Sequence, residues 1–280
     1  FLREPAAAPI RDWLASAEAA KRIHDAHKAE IALGWRGMEL RGVEFDTVLA
    51  AYLLDPTESG HELSDIAAKY GAGPLPSDDE VFGKGAKFKI PEREKLAEHL
   101  GRKARAVAEL VGGLKRELSE HAMDRLYYEL ELPLSAVLAR MERRGVKVDT
   151  GELEAYGAEL EQRLEKLAAT IYRLAGGPFN LNSPKQLGEI LFDRLGLPPL
   201  KKTKTGYSTD AEVLERLAPY HEIVGKLLDY RLLSKLKSTY VEGLMKEVRP
   251  NTGKIHTYYR QTIAATGRLS SQYPNLQNIP

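Results

Sequence analysis

Cysteine is absent from all 280 residues, so neither a disulfide framework nor a thiolate metal site is open to this chain, and a reducing compartment suits it. Long apolar runs are missing too. No stretch approaches the roughly 18 consecutive apolar residues of a membrane span, and the opening FLREPAAAPIRDWLAS carries charge where a signal peptide needs an apolar core, so a cytoplasmic protein is expected. Net charge is nearly absent: 41 Lys and Arg face 40 Asp and Glu, for +1. With 43% hydrophobic and 29% charged residues, what remains is an ordinary globular chain long enough for two domains, and disordered or collagen-like classes are excluded. The first residue is Phe rather than Met, and the gene product is expected to begin upstream of it.

The near neutrality conceals a polarity. Residues 1–121 hold 18 Lys and Arg against 21 Asp and Glu, residues 122–179 hold 8 against 10, and residues 180–280 hold 15 against 9. The basic end is the last third, and a local excess of this kind is what a polyanion-binding surface needs.

In the first 121 residues short apolar runs alternate with turn signals. VEFDTVLAAYLL (43–54) ends at Asp55-Pro56, and ELSDIAAKYGAG breaks at Gly71 and Gly73-Pro74, which predicts a mixed helix and strand domain. From Met123 the periods lengthen: Leu126, Leu130, Leu134, Val137, Leu138 and Met141 recur at spacings of three and four. A second long segment opens at Asp149, an N-cap with Glu152 three residues on, and stops at Gly176-Gly177-Pro178. These two are expected to pair as antiparallel helices. Ser183 with Pro184 starts a shorter helix that Gly196 ends, and Thr209 with Glu212 is expected to form a capping box. Between them lies KKTKTGYS, basic and rich in hydroxyls. The last helix is expected from Glu222 to Val248, and KIHTYYRQTIAATGRLSSQ alternates like paired strands around a turn at Thr266-Gly267.

At 100° per residue the last helix sorts its side chains. Arg231, Lys235, Ser238, Glu242 and Lys246 fall on one face, and Leu232, Leu233, Leu236, Tyr240 and Leu244 on the other. A solvated polar face explains such a helix by itself. Its company points further, because KKTKTGYS, the Ser183 cap and the hydroxyls of Ser238 and Thr239 all supply donors for phosphate oxygens. Such donors position a duplex without reading its sequence. Other candidates fail. His24 and His27 lack a third metal ligand or an HExxH pattern; GKGAK (83–87) is a flexible basic loop rather than a phosphate cradle; and Asp12, Asp25, Asp46, Asp55 and Asp65 show no spacing that singles out a two-metal pair.

The string TGRLSSQYPNLQNIP (266–280), with KKTKTGYST, YRLLSKLKSTYVEGL, FNLNSPKQLGEILF and GVKVDT, resembles the bacterial family A DNA polymerases, in particular the large-fragment type of bacilli, over essentially the whole chain. The resemblance implies an α/β exonuclease-like (ribonuclease H-like) domain over 1–121, a mainly α-helical thumb over 122–250 and the first strands of an α+β palm over 251–280. It further implies that Asn182, Ser183, Lys202, Lys204, Ser208, Arg231, Lys235, Ser238 and Thr239 track the phosphates of primer–template duplex DNA. Arg268, Asn275, Gln277 and Asn278 are implied to lie at the minor groove near the primer terminus. Proofreading members carry an Asp-x-Glu pair, which here would lie upstream of Phe1, and a second Asp ahead of an ELRG-like segment, here 39–42, where the matching place is Ala29. The late Tyr-x-x-x-Asp motif aligns with HLGRK (99–103), which has neither acid nor Tyr, so no proofreading is expected. The family's polymerase aspartates, which hold Mg2+, and its fingers helix follow the NIP tripeptide. No catalytic residue or metal ligand is therefore expected within these 280 residues. A deoxynucleoside triphosphate and the remaining palm and fingers segment are the implied partners, and a membrane is not. A split subunit, a proteolytic piece, a shortened product or the visible part of a longer chain all fit, while a free-standing 3′ to 5′ exonuclease and a non-catalytic DNA-binding module are the rival classes.

Overall fold

Strands β1 (Lys21–Ile23) and β2 (Val43–Asp46) pair in parallel, and because parallel neighbours need a crossover, helix α2 (Ala26–Gly34) joins them. Helix α1 (Ala8–Ala15) precedes this βαβ unit. Asp46 ends β2 and starts α3 (Thr47–Leu54), its carboxylate accepting the Val48 N–H at 2.9 Å. Helix α4 (Leu63–Tyr70) follows, then α5 (Asp78–Phe82), opened by a Ser77/Glu80 capping box. The long α6 (Arg93–Glu120) lays Leu110, Leu114 and Leu118 on Phe45, Leu49, Leu63 and Ile66 to make one core with Tyr127. Tyr127 is fully buried and its hydroxyl exchanges hydrogen bonds with the Asp46 backbone at 2.7 and 3.0 Å.

The computed structural model describes residues 2–58, 60–203 and 206–280. By packing, the chain divides into residues 1–146 with 256–280, and residues 147–255. The first unit includes a π-helical turn (Leu126–Glu131) that runs into α7 (Leu132–Arg144), and α7 packs on α2. It also holds an antiparallel hairpin in which Tyr258–Arg260 pairs with Ser270–Gln272. Apart from β1 and β2, no strand occurs among the described residues of 1–121; helix dominates even in the α/β part.

In the second unit α8 (Thr150–Ala175) packs along α11 (Glu222–Lys235). Helix α9 (Pro184–Gly188), a π-helical turn (Glu189–Arg194) and α10 (Ala211–Leu217) close the core at one end with Leu187, Leu191, Leu214, Leu217 and Ile223. Beyond α11 the same helix continues as a π segment (Leu236–Glu242) and then α12 (Gly243–Lys246). Val248–Arg249 pairs with Lys254–Ile255 as a short hairpin.

Three expectations change. The two long helices expected to pair with each other take their main partners within their own units, α7 on α2 and α8 on α11. The cap of α10 is Asp210, which accepts the Val213 N–H at 2.9 Å, and not Thr209. The third is the helical wheel. Through the π segment the N–H of Gly243 reaches back five residues to Ser238, and Lys237 pairs with Glu242, also five away, at 2.5 Å. One widened turn of this kind rotates everything after it by about 100°, so Glu242 and Lys246 leave the Arg231–Lys235 face. Leu232, expected on the buried side, is 59% exposed.

Candidate nucleic-acid interface

In the second unit, donors gather at helix starts and on one helix. Ser183 caps α9 by accepting the Gln186 N–H at 3.3 Å, with Pro184 supplying the helical φ at the first position. Asn182 beside it is exposed. The basic loop folds as a two-residue pairing of Lys202–Thr203 with Gly206–Tyr207, and Lys202 is exposed with its ammonium 5.8 Å from the Tyr207 ring centre. Lys204, expected to join it, lies outside the described residues. Ser208 is buried, and its hydroxyl donates to Asp210 at 2.8 Å. The Val213 N–H, this hydroxyl and Lys201 together hold the Asp210 carboxyl down to about 2. Ser208 therefore spends its hydroxyl on building the start of α10.

On α11 and its continuation, Lys235, Ser238 and Thr239 are exposed. Ser238 donates to the Ser234 carbonyl at 2.8 Å, which leaves its lone pairs outward, and Lys235 has no partner among the described residues. Arg231 differs. It is half-buried, donates from Nη1 to the Thr209 carbonyl and from Nη2 to the Thr209 hydroxyl at 3.3 Å, and loses some of its basicity to burial. It ties α11 to the loop ahead of α10 and keeps its remaining N–H groups. Lys237, which the sequence pattern did not single out, bridges Glu161 of α8 at 2.6 Å and Glu242.

In the first unit, buried hydroxyls hold the last turn in shape. The Thr257 hydroxyl lies 2.7 Å from that of Ser271 and donates to the Pro274 carbonyl at 2.7 Å, while Ser271 accepts the Leu276 N–H at 3.0 Å. Asn275 turns its side-chain oxygen inward to the Gln277 N–H at 2.9 Å, and Gln277 donates to the Leu269 carbonyl at 3.0 Å. Asn275, Gln277 and Asn278 are exposed at this turn, and Arg268 is exposed in the loop ahead of the Ser270–Gln272 strand. Arg268 has no partner among the described residues, so its guanidinium is uncommitted, and Gln277 reaches the carbonyl of the neighbouring Leu269.

The same unit has a cleft of about 610 Å³ lined by His24, Asp46, His61, Asp78 and Lys103 among others. Both ring nitrogens of His61 are buried without a hydrogen-bond partner among the described residues, whereas the carboxylates of the cleft, Asp46 and Asp78, are committed. Asp46 accepts the N–H groups of Asp25, Ala26 and Val48, and burial, outweighing these bonds, pushes its carboxyl up to about 6. Asp78 is held by His99 at 2.8 Å and Lys103 at 2.8 Å, so the two ends of HLGRK, one helical turn apart, place an imidazole and an ammonium on it. His24 bonds the Thr47 hydroxyl at 2.9 Å, whereas His27 bonds Glu142 at 3.0 Å, so the two histidines diverge. Among the described residues no three His, Asp or Glu side chains are grouped to hold a metal ion. A carboxylate beside an ammonium and a carboxylate filled by three N–H donors do not suit a divalent pair.

Two family descriptions match this chain: DNA polymerase I, ribonuclease H-like domain over residues 3–110, and DNA polymerase family A over residues 150–280. The chain belongs to DNA polymerase family A. This family A chain is 55% identical over 268 residues to DNA polymerase I of Geobacillus stearothermophilus and 50% identical over 271 residues to that of Bacillus subtilis (strain 168), covering 96% and 97% of itself. It spans 31% of the length of each of these relatives. Among solved structures it is similar to the POL domain of Pol1 from M. smegmatis in complex with DNA primer-template and dNTP, with a TM-score of 0.84 and 40% identity, covering 99% of this chain and 46% of that one. No helix among the described residues is long and apolar enough to cross a membrane.

Proposed function

We propose that this chain is the DNA-gripping portion of a DNA-directed DNA polymerase I acting in replication and repair synthesis. The observation that carries the reading is the similarity, over 99% of the chain, to a polymerase domain whose structure holds primer-template and dNTP. The basic, hydroxyl and amide side chains support it. Asn182, Ser183, Lys202, Lys204, Lys235, Ser238 and Thr239 track phosphates, Arg231 contributes the N–H groups it does not give to Thr209, and Ser208 acts through the loop it shapes. Arg268, Asn275, Gln277 and Asn278 face the minor groove at the primer end, where pyrimidine O2 and purine N3 accept in every Watson–Crick pair. Residues 1–121 are an exonuclease-like domain without proofreading, supported by Ala29 in place of an acid and by the commitment of Asp78 to His99 and Lys103.

The complete enzyme takes a deoxynucleoside triphosphate, and its Mg2+ ions are held by residues of the remaining palm and fingers segment, outside this chain. Purified chain given labelled primer–template, Mg2+ or Mn2+ and all four triphosphates should retain the duplex but neither extend nor shorten it. Extension or 3′ to 5′ degradation that survives controls for contaminating enzymes would contradict the assignment.

A further inference from the structure

The loop of residues 261–269, which joins the two strands of the C-terminal hairpin and ends just past Arg268, has little apolar anchorage of its own. Thr266, Gly267 and Arg268 are exposed and Ile263 is 45% exposed. Two polar posts from other elements hold it. Gln261 is buried and donates to the carbonyl of Glu131 at 2.8 Å and to its carboxylate. Three residues on, the hydroxyl of Tyr52 in α3 donates to the Ala264 carbonyl at 2.6 Å. That same carbonyl accepts the Gly267 N–H at 3.0 Å, closing a turn whose Gly267 has φ +75°. The Tyr52 bond therefore lands on the acceptor that sets the turn immediately before Arg268.

Tyr52 is 2% exposed, with its ring edge-on to His61. Packing alone would accept Phe here, because the ring already fills its site and only the hydroxyl reaches out of α3. An exonuclease-like domain without proofreading thus still spends one polar group on the opposite end of the chain.

We propose that Tyr52, with Glu131 as the second post, is a positioning residue for Arg268, fixing the turn that aims its guanidinium at the primer terminus. This rests on the minor-groove reading of Arg268. The exonuclease-like domain then serves the polymerase reaction as a brace for its primer-end arginine. A guanidinium that must meet an O2 or N3 acceptor along one direction loses more from a loosened turn than a phosphate contact does, because Arg bonds through a rigid fork.

The test uses the full-length polymerase with Tyr52→Phe, Arg268→Ala and the double variant, on primers ending in guanine or in 3-deazaguanine, which lacks the N3 acceptor. Arg268→Ala should extend both primers alike, whereas the wild type should be slowed by the deaza base. Tyr52→Phe should slow extension from guanine about 2- to 10-fold at saturating triphosphate, the range of one lost hydrogen bond, with DNA affinity unchanged and its deaza penalty reduced. In the Arg268→Ala background it should add no further loss. Amides of Gly267 and Arg268 should exchange faster in Tyr52→Phe, with the α3 and α6 amides unaffected. Equal losses in both backgrounds, or unchanged Gly267 exchange, would overturn the positioning role while leaving the minor-groove reading intact. An Arg268→Ala enzyme as sensitive to the deaza base as wild type would overturn the minor-groove reading and this proposal together.

Discussion

Burial holds the His24 ring down to about 4 against an ordinary value of 6.5, and its Nδ1 is already bonded to the Thr47 hydroxyl as a neutral ring. The sign follows from linkage: a group whose folded value is depressed gives stability above its unfolded value and loses it as pH falls toward the folded one. Between pH 7 and pH 5 the unfolded ring takes up a proton and the folded ring does not. Wild type should therefore lose about 2 kcal/mol relative to His24→Gln over that range, at 1.36 kcal/mol per unit. Asp46 titrates in the opposite sense, since its raised value favours the fold at lower pH, but it is common to both proteins and cancels in the difference. Denaturant melts of the two proteins at pH 7 and pH 5 measure this, and a difference that does not change with pH would place the ring in contact with solvent.

At the scale of elements, α11 carries two cations with different employment. Arg231→Ala cuts the tie from α11 to Thr209 and should lower stability by about 1 to 2 kcal/mol, the cost of losing a charged donor to a carbonyl. Lys235→Ala should leave stability unchanged and instead reduce the salt slope of duplex binding by about 0.9. Chemical denaturation together with salt titration separates the two; a Lys235→Ala protein with the wild-type slope would return that side chain to a solvated surface. Local chemistry makes several elements legible in the sequence. Asp149 caps α8 by accepting the Glu152 N–H at 3.1 Å, and Ser183-Pro184 opens α9 as expected, because capping depends on neighbours within three residues. What depends on tertiary contact was not legible. Thr209 is expected to cap α10, but Asp210 does so, and Thr209 is buried with its carbonyl and hydroxyl on Arg231. The π segment has no apolar period of its own and is recognised by its backbone bonds, such as that from the Gly243 N–H to the Ser238 carbonyl. In α6 burial of Leu110, Val111 and Leu114 carries the helix through Gly112-Gly113, two residues that favour helix poorly.

On the scale of the whole chain, the reading depends on a charge excess confined to the last third and on donors that do not discriminate sequence. Tyr52, Glu131 and Gln261 stayed hidden in the sequence for the complementary reason: each bond joins residues more than a hundred positions apart. The central claim is that these surfaces grip duplex DNA by its backbone and by the acceptors common to all base pairs. Its most direct test is the affinity of this 280-residue chain for two primer–template duplexes of unrelated sequence, measured by fluorescence anisotropy from 50 to 200 mM salt. With Lys202, Lys204, Arg231, Lys235 and Arg268 engaged, the two affinities should agree within a few-fold, and log K should fall against log salt with a slope of about −3 to −5. A slope near zero, or a strong preference for one duplex, would contradict it.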